Sequence, residues 1–122
     1  PPPPPHELAF EALRVLREID LENPEQIRRF YFGISETIRA YVEGRFRLNA
    51  TDLTTEEILF NLRKLEDLAA NNRERLEFFL KDTDQVKFAD HEPTDSEIEE
   101  TYERALAFVE SSIPTPTEEA SP

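Results

Sequence analysis

Three observations predict an all-α fold, a compact bundle of about five helices. Apolar residues recur at three- and four-residue spacing through most of the chain. Two Thr-x-x-Glu capping boxes, Thr54 with Glu57 and Thr94 with Glu97, stand just before apolar runs. Glycine occurs only twice in 122 residues, too rarely for the tight turns of an all-β chain.

The first helix rests on Leu8, Ala9, Ala12, Leu13, Leu16 and Ile19, which trace one apolar stripe. Before it, the prolines at 1–5 read as a semi-rigid extended spacer. Asn23 is placed to cap a second helix, with Pro24 at its first position. Ile27, Phe30, Tyr31, Ile34, Ile38, Tyr41 and Val42 carry that stripe, and Phe46 closes it. Gly33 and Gly44 weaken this helix by about 1 kcal/mol each against alanine.

Asn49-Ala50-Thr51 matches the N-glycosylation acceptor pattern but reads here as turn chemistry before the third helix. That helix starts at the Thr54 box and buries Ile58, Leu59, Leu62 and Leu65. A fourth begins near Asn71 or Asn72 and runs through Leu76, Phe79 and Leu80. The stretch KDTDQVKFADHEPT (residues 81–94) then reads as a connector. In it Val86 or Phe88 turns inward and Lys87 points outward. The last helix follows the Thr94 box with Ile98, Tyr102, Ala105, Phe108 and Val109 inward. The folded domain is therefore expected over residues 6–112, with 113–122 as a disordered tail rich in proline.

Composition excludes several functions. With 27 acids against 14 bases, the net charge of −13 argues against nucleic acid, whose phosphates draw on clustered Lys and Arg. Cysteine is absent, so disulfides and thiolate chemistry are excluded. An EF-hand register from Asp82 fails, because Val86, Lys87 and Pro93 stand where a ligand, the glycine and the glutamate belong. His6 and His91 lie far apart and read as solvated side chains rather than zinc ligands. No G-x-S-x-G elbow or phosphate-cradling glycine loop occurs. Ser35, inside the second helix, reads as a hydroxyl bonded to its own backbone. No cofactor or metal is expected, and the chain reads as a non-enzyme. A hydrolase using a buried carboxylate pair is the rival, since such a pair acts only when burial separates its pKa values.

One charge feature stands out. Residues 28–47 carry five arginines and two acids, a net +3 against −16 for the rest. These arginines either pair with acids of neighbouring helices or form a docking face. The candidate partner-binding residues are Arg39, Tyr41 by an exposed edge, Arg45, Arg47, Asp84 and Lys87.

Five segments taken in order resemble a known family: PHELAFEALRVLREI, FYFGISETIRAYVEGRF, ATDLTTEEIL, DQVKFADHEPT and a closing helix that ends AFVES. Together, over residues 5–110, they look like the C-terminal cytoplasmic domain of BatD-type membrane proteins from bacterial aerotolerance operons. The most specific pieces are Arg39-Ala40-Tyr41 with Arg45-Phe46, Thr54-Thr55-Glu56-Glu57, and Val86-Lys87-Phe88-Ala89. The resemblance implies a helical, non-catalytic interaction domain on the cytoplasmic side of the inner membrane. It implies MoxR-type AAA+ ATPases and von Willebrand factor A proteins as partners. A chain that opens with proline and holds no methionine suits a piece of a longer polypeptide, with a membrane anchor expected upstream of Pro1. Residues 1–10 depart from that expectation by carrying none of the basic residues usual beside a span.

Overall fold

The computed structural model describes residues 1–65 and 68–114. It holds five α-helices: α1 Pro5–Leu16, α2 Pro24–Phe46, α3 Thr55–Leu62, α4 Ala70–Phe88 and α5 Asp95–Ser112. A short 3₁₀ turn at Ala50–Asp52 occupies the α2–α3 link, where turn chemistry is expected. The described residues contain no strand, and no helix among them is long and apolar enough to cross a membrane. The expected disorder of the tail falls largely on residues 115–122, outside the described residues.

Local chemistry sets most boundaries. Asn23 accepts a hydrogen bond from the Gln26 amide at 3.0 Å and Pro24 opens α2. Thr54 and Glu57 close a reciprocal capping box, as do Thr94 and Glu97. The proline spacer is one residue shorter than expected, because Pro5 is the first residue of α1. A proline is tolerated there, since its missing N–H has no partner within the helix anyway. Leu8, expected on the buried stripe of α1, is 57% exposed, and Ala9 and Leu13 face the core instead.

The larger correction concerns α4. The segment 81–88 is helical, so the connector to α5 is confined to residues 89–94. Buried positions along α4 are Asn72, Leu76, Phe79, Leu80, Thr83, Val86 and Lys87. They form one continuous helical stripe, but three of its members are polar and hide the apolar period. Extended backbone would send Val86 and Lys87 to opposite sides. The helix sends both inward, and Phe88 is left 70% exposed.

α2 is the central helix, packed against α1, α4, α5 and the 3₁₀ turn. Its Phe30, Tyr31, Ile34, Ile38, Tyr41 and Val42 join Leu13, Ile58, Leu76, Phe79, Leu80, Ala105, Phe108 and Val109 in one core. Its two glycines mark the close approach of α1. A Cβ at Gly33 would lie 2.7 Å from Leu16 Cδ2, and one at Gly44 would lie 3.1 Å from Pro5 Cγ. The weakening that glycine brings to α2 is therefore offset by tighter packing of α1.

The hydroxyls of the buried tyrosines find partners. Tyr31 donates to Thr101 Oγ1 at 3.0 Å, whose own proton lies within reach of Asp82 Oδ2 at 3.0 Å and the Glu97 carbonyl at 2.9 Å. Tyr102 donates to the Leu13 carbonyl at 3.1 Å, and Arg17 lies 3.6 Å above its ring while gripping Glu99 with two 2.7 Å bonds.

Two predictions follow from these elements. Burial pushes the Tyr31 hydroxyl up to about 12 from its ordinary 10.0, and pushes that of Tyr41 up as well. Between those two values the folded chain holds the Tyr31 proton and the unfolded chain releases it, so stability falls as pH rises. Urea melts across that window should show the decline, and Tyr31→Phe should flatten it while costing about 1 kcal/mol at neutral pH. An undiminished decline in the variant would assign it elsewhere. Arg47, which ends α2, takes the left-handed conformation with φ 59° and ψ 40°. A side chain there costs about 1–2 kcal/mol that glycine escapes. Arg47→Gly should raise stability by about 1 kcal/mol, read as a higher thermal midpoint.

Candidate functional site

The polar residues on the buried stripes of α2 and α4 face each other. On α2, Ser35 and Arg39 are one turn apart, 0% and 8% exposed. On α4, Asp84 and Lys87 are likewise one turn apart, and Lys87 is 8% exposed. Thr55, at the first turn of α3, sits between the two helices and is buried.

Arg39 is the hub. Its Nε donates to Ser35 Oγ at 3.3 Å, and its Nη2 donates to Thr55 Oγ1 at 3.1 Å. Its Nη1 donates to the main-chain carbonyls of Leu53 and Ala50, which close the 3₁₀ turn. Thr55 passes its own proton to Asp84 Oδ2 at 2.7 Å. The relay from Arg39 through Thr55 to Asp84 therefore ties α2, α3 and α4 together. The second carboxylate oxygen of Asp84 is buried and has no hydrogen-bond partner among the described residues.

Lys87 lies nearer the surface. Its Nζ donates to Ser35 Oγ at 3.2 Å, so that one hydroxyl receives from both cations. It also stands 5.0 Å from the ring centres of both Phe32 and Phe88. Those rings meet edge to face at 5.9 Å and are 42% and 70% exposed. Burial, and next the neighbouring Arg39, pushes the Lys87 ammonium below its ordinary value, with Asp84 and Glu36 opposing. Behind it, Arg28 donates to the Lys87 carbonyl at 3.2 Å near the end of α4.

Three of the six candidate residues, Arg39, Asp84 and Lys87, thus come together at the α2–α4 seam. The outward Lys87 is corrected to a buried one, because its helical position faces α2. Arg39 is spent on internal partners and offers no open face. Tyr41 is corrected as well: it is 2% exposed, and its hydroxyl bonds Ser112 Oγ at 2.8 Å. Arg45 joins it there, donating to the Ser112 carbonyl at 2.8 Å and lying 4.7 Å above the Phe46 ring. Arg47 is exposed at the end of α2, apart from the seam. The expected pairing with acids is replaced at Arg28 and Arg39 by hydrogen bonds to main-chain carbonyls, and Arg45 too donates to one.

Sequence reasoning missed Ser35, Thr55, Phe32 and Phe88. The signal was available for the first of these: Ser35 and Arg39 interrupt the apolar register of α2 at buried positions. Elsewhere, Asp82 and Asp84 leave α4 on different sides, one toward Thr101 of α5 and the other toward Thr55 of α3. His91 pairs with Glu97 at 3.1 Å rather than standing alone in solvent. Among the described residues no three His, Cys, Asp or Glu side chains group to hold a metal ion.

Removing the hub should be costly. Arg39→Met leaves two carbonyls and the Thr55 hydroxyl oxygen without their donor, an expected loss of about 3 kcal/mol in denaturant melts. Arg39→Lys keeps the charge but cannot span four acceptors from one planar fork, so it should recover only part of that loss. Full recovery by lysine would show that charge alone matters.

No family model, no curated protein and no solved structure matches this chain, and its function is read from its own residues.

Proposed function

We propose that the chain is a non-catalytic helical protein–protein interaction module. In this reading a BatD-like, membrane-anchored protein carries it on the cytoplasmic side of the bacterial inner membrane. It acts with MoxR-type AAA+ ATPases or von Willebrand factor A proteins. The observation that carries the proposal is the Phe32–Phe88 pair. Two large rings from different helices meet edge to face and remain 42% and 70% exposed beside the buried seam that holds Lys87 and Ser35. Adjacent exposed aromatics over a buried, water-excluding base are what protein docking sites use.

The rival reading, a hydrolase with a buried carboxylate pair, gains no support from the acids. Glu11, Glu57, Glu97 and Glu99 are each held below the ordinary carboxylate range by exposed arginines or helix caps. A general acid needs a shift in the other direction. Asp82 and Asp84, two residues apart, point to different helices.

The test uses the 122-residue chain and purified MoxR-type ATPase and von Willebrand factor A proteins. At least one should bind, and Phe32→Ser combined with Phe88→Ser should weaken that binding by about tenfold or more. The thermal midpoint should change little, because both rings are partly in water already. Unchanged affinity in the double variant, or no binding by any of these proteins, counts against the proposal.

A further inference from the structure

Lys87 is a cation in an unusual position. It is 8% exposed, yet no carboxylate among the described residues lies within ion-pair distance of its Nζ, in a chain with 27 acids. Buried ammonium groups are normally paired. The nearest acid does not serve. Asp84 gives one oxygen to Thr55 and keeps the other buried without a partner. Glu36, one turn along α2 from Phe32, is exposed. The single hydrogen bond of Nζ among the described residues goes to Ser35 Oγ, a hydroxyl already receiving from Arg39. What remains of its coordination is the gap between two ring faces, each with its centre 5.0 Å away.

From this arrangement we infer that the seam recognises a carboxylate on an apolar segment of a partner protein. Lys87 Nζ receives the carboxylate, and Phe32 and Phe88 pack the apolar side chains that flank it. The inference rests on the docking-face reading above and specifies what docks. Charge complementarity commits it to an acidic occupant. Arg39 and Lys87 share one hydroxyl and repel each other, so an arriving anion relieves that repulsion. The two rings keep water from the pair, where an ion pair is worth more than on an open surface.

The valence also selects. The guanidinium of Arg39 is committed to Ser35, Thr55 and two carbonyls, leaving one ammonium to meet the ligand. One ammonium matches a single negative charge. Phosphate dianions call for several donors or an open guanidinium fork. The exposed rings, in turn, suit an occupant that brings apolar side chains, which a free small anion lacks.

The experiment titrates the isotope-labelled 122-residue chain with a blocked peptide alternating leucine and glutamate, observed by NMR at the Phe32 and Phe88 rings and the Lys87 ammonium. The same peptide with glutamine for glutamate, and one with phosphoserine for glutamate, serve as comparisons. The glutamate peptide should shift all three residues and bind about tenfold more tightly than the glutamine one. Lys87→Met, an apolar replacement of similar length, should bind both peptides alike. Should that variant fold poorly, Phe32→Ser with Phe88→Ser supplies the second arm and should abolish the shift at the Lys87 ammonium. Equal binding of the glutamate and glutamine peptides by the unaltered chain overturns carboxylate recognition and leaves the docking face standing. Tighter binding of the phosphoserine peptide overturns it in favour of a phosphate site. No shift at either ring with any peptide overturns the inference. Only if the double serine variant also keeps its affinity for the ATPase and von Willebrand factor A proteins does the docking face itself fall.

Discussion

A buried guanidinium held by carbonyl and hydroxyl oxygens is the constraint from which the rest of the molecule is organised. Arg39 sits at 8% exposure with its hydrogen bonds directed to Ser35, Thr55, Leu53 and Ala50. Removing such a charge from water is unfavourable by several kcal/mol unless polar atoms replace the lost hydration. Here the replacement comes from the loop that reverses the chain between α2 and α3. The loop cannot move away without stranding the charge, and the charge cannot leave without stranding the loop. A planar fork with five donors can satisfy acceptors from three directions at once, which a lysine cannot.

The same residue shapes its surroundings. By occupying Ser35 together with Lys87, Arg39 keeps the ammonium high in the seam, against the two aromatic rings. Thr55 hands the influence on to Asp84, fixing one carboxylate oxygen and leaving its twin enclosed. The seam therefore has two layers. The lower is a closed structural clamp, and the upper is a cation framed by exposed rings. The lower layer is closed off from solvent, whereas the rings of the upper one are exposed.

Much of this architecture was legible in the sequence because helix starts are written locally. Asn23-Pro24, the Thr54 box and the Thr94 box each name a helix start, and each helix begins there. Helix ends were harder. α2 stops on a left-handed arginine rather than a glycine, and α4 continues through Asp82 and Asp84 with buried polar residues that mask its period. The candidate site divided in the same way. Arg39, Asp84 and Lys87 were legible as an unusual concentration of charge, yet their inward direction was not. Direction depends on which face of α4 meets α2, a tertiary fact without a local signature. Tyr41 was misplaced for the same reason: its ring follows the apolar stripe of α2 into the core, and Ser112, seventy-one residues away, supplies the partner that lets its hydroxyl stay there. Arg28 and Arg39 found carbonyls where acids were expected, because helix and turn ends present uncompensated oxygens just where these side chains reach.

The close approach of α1 to α2 has a consequence for how the domain is presented. Pro5, where α1 begins, lies against Gly44, and Ser112, where α5 ends, is held by Tyr41 and Arg45. Chain entry and chain exit are thus gathered at one pole, around the last turns of α2. Phe32 lies twelve residues back along the same helix, about 18 Å away at 1.5 Å per residue. The exposed ring of Phe32 is thus held well apart from the pole where α1 begins and α5 ends.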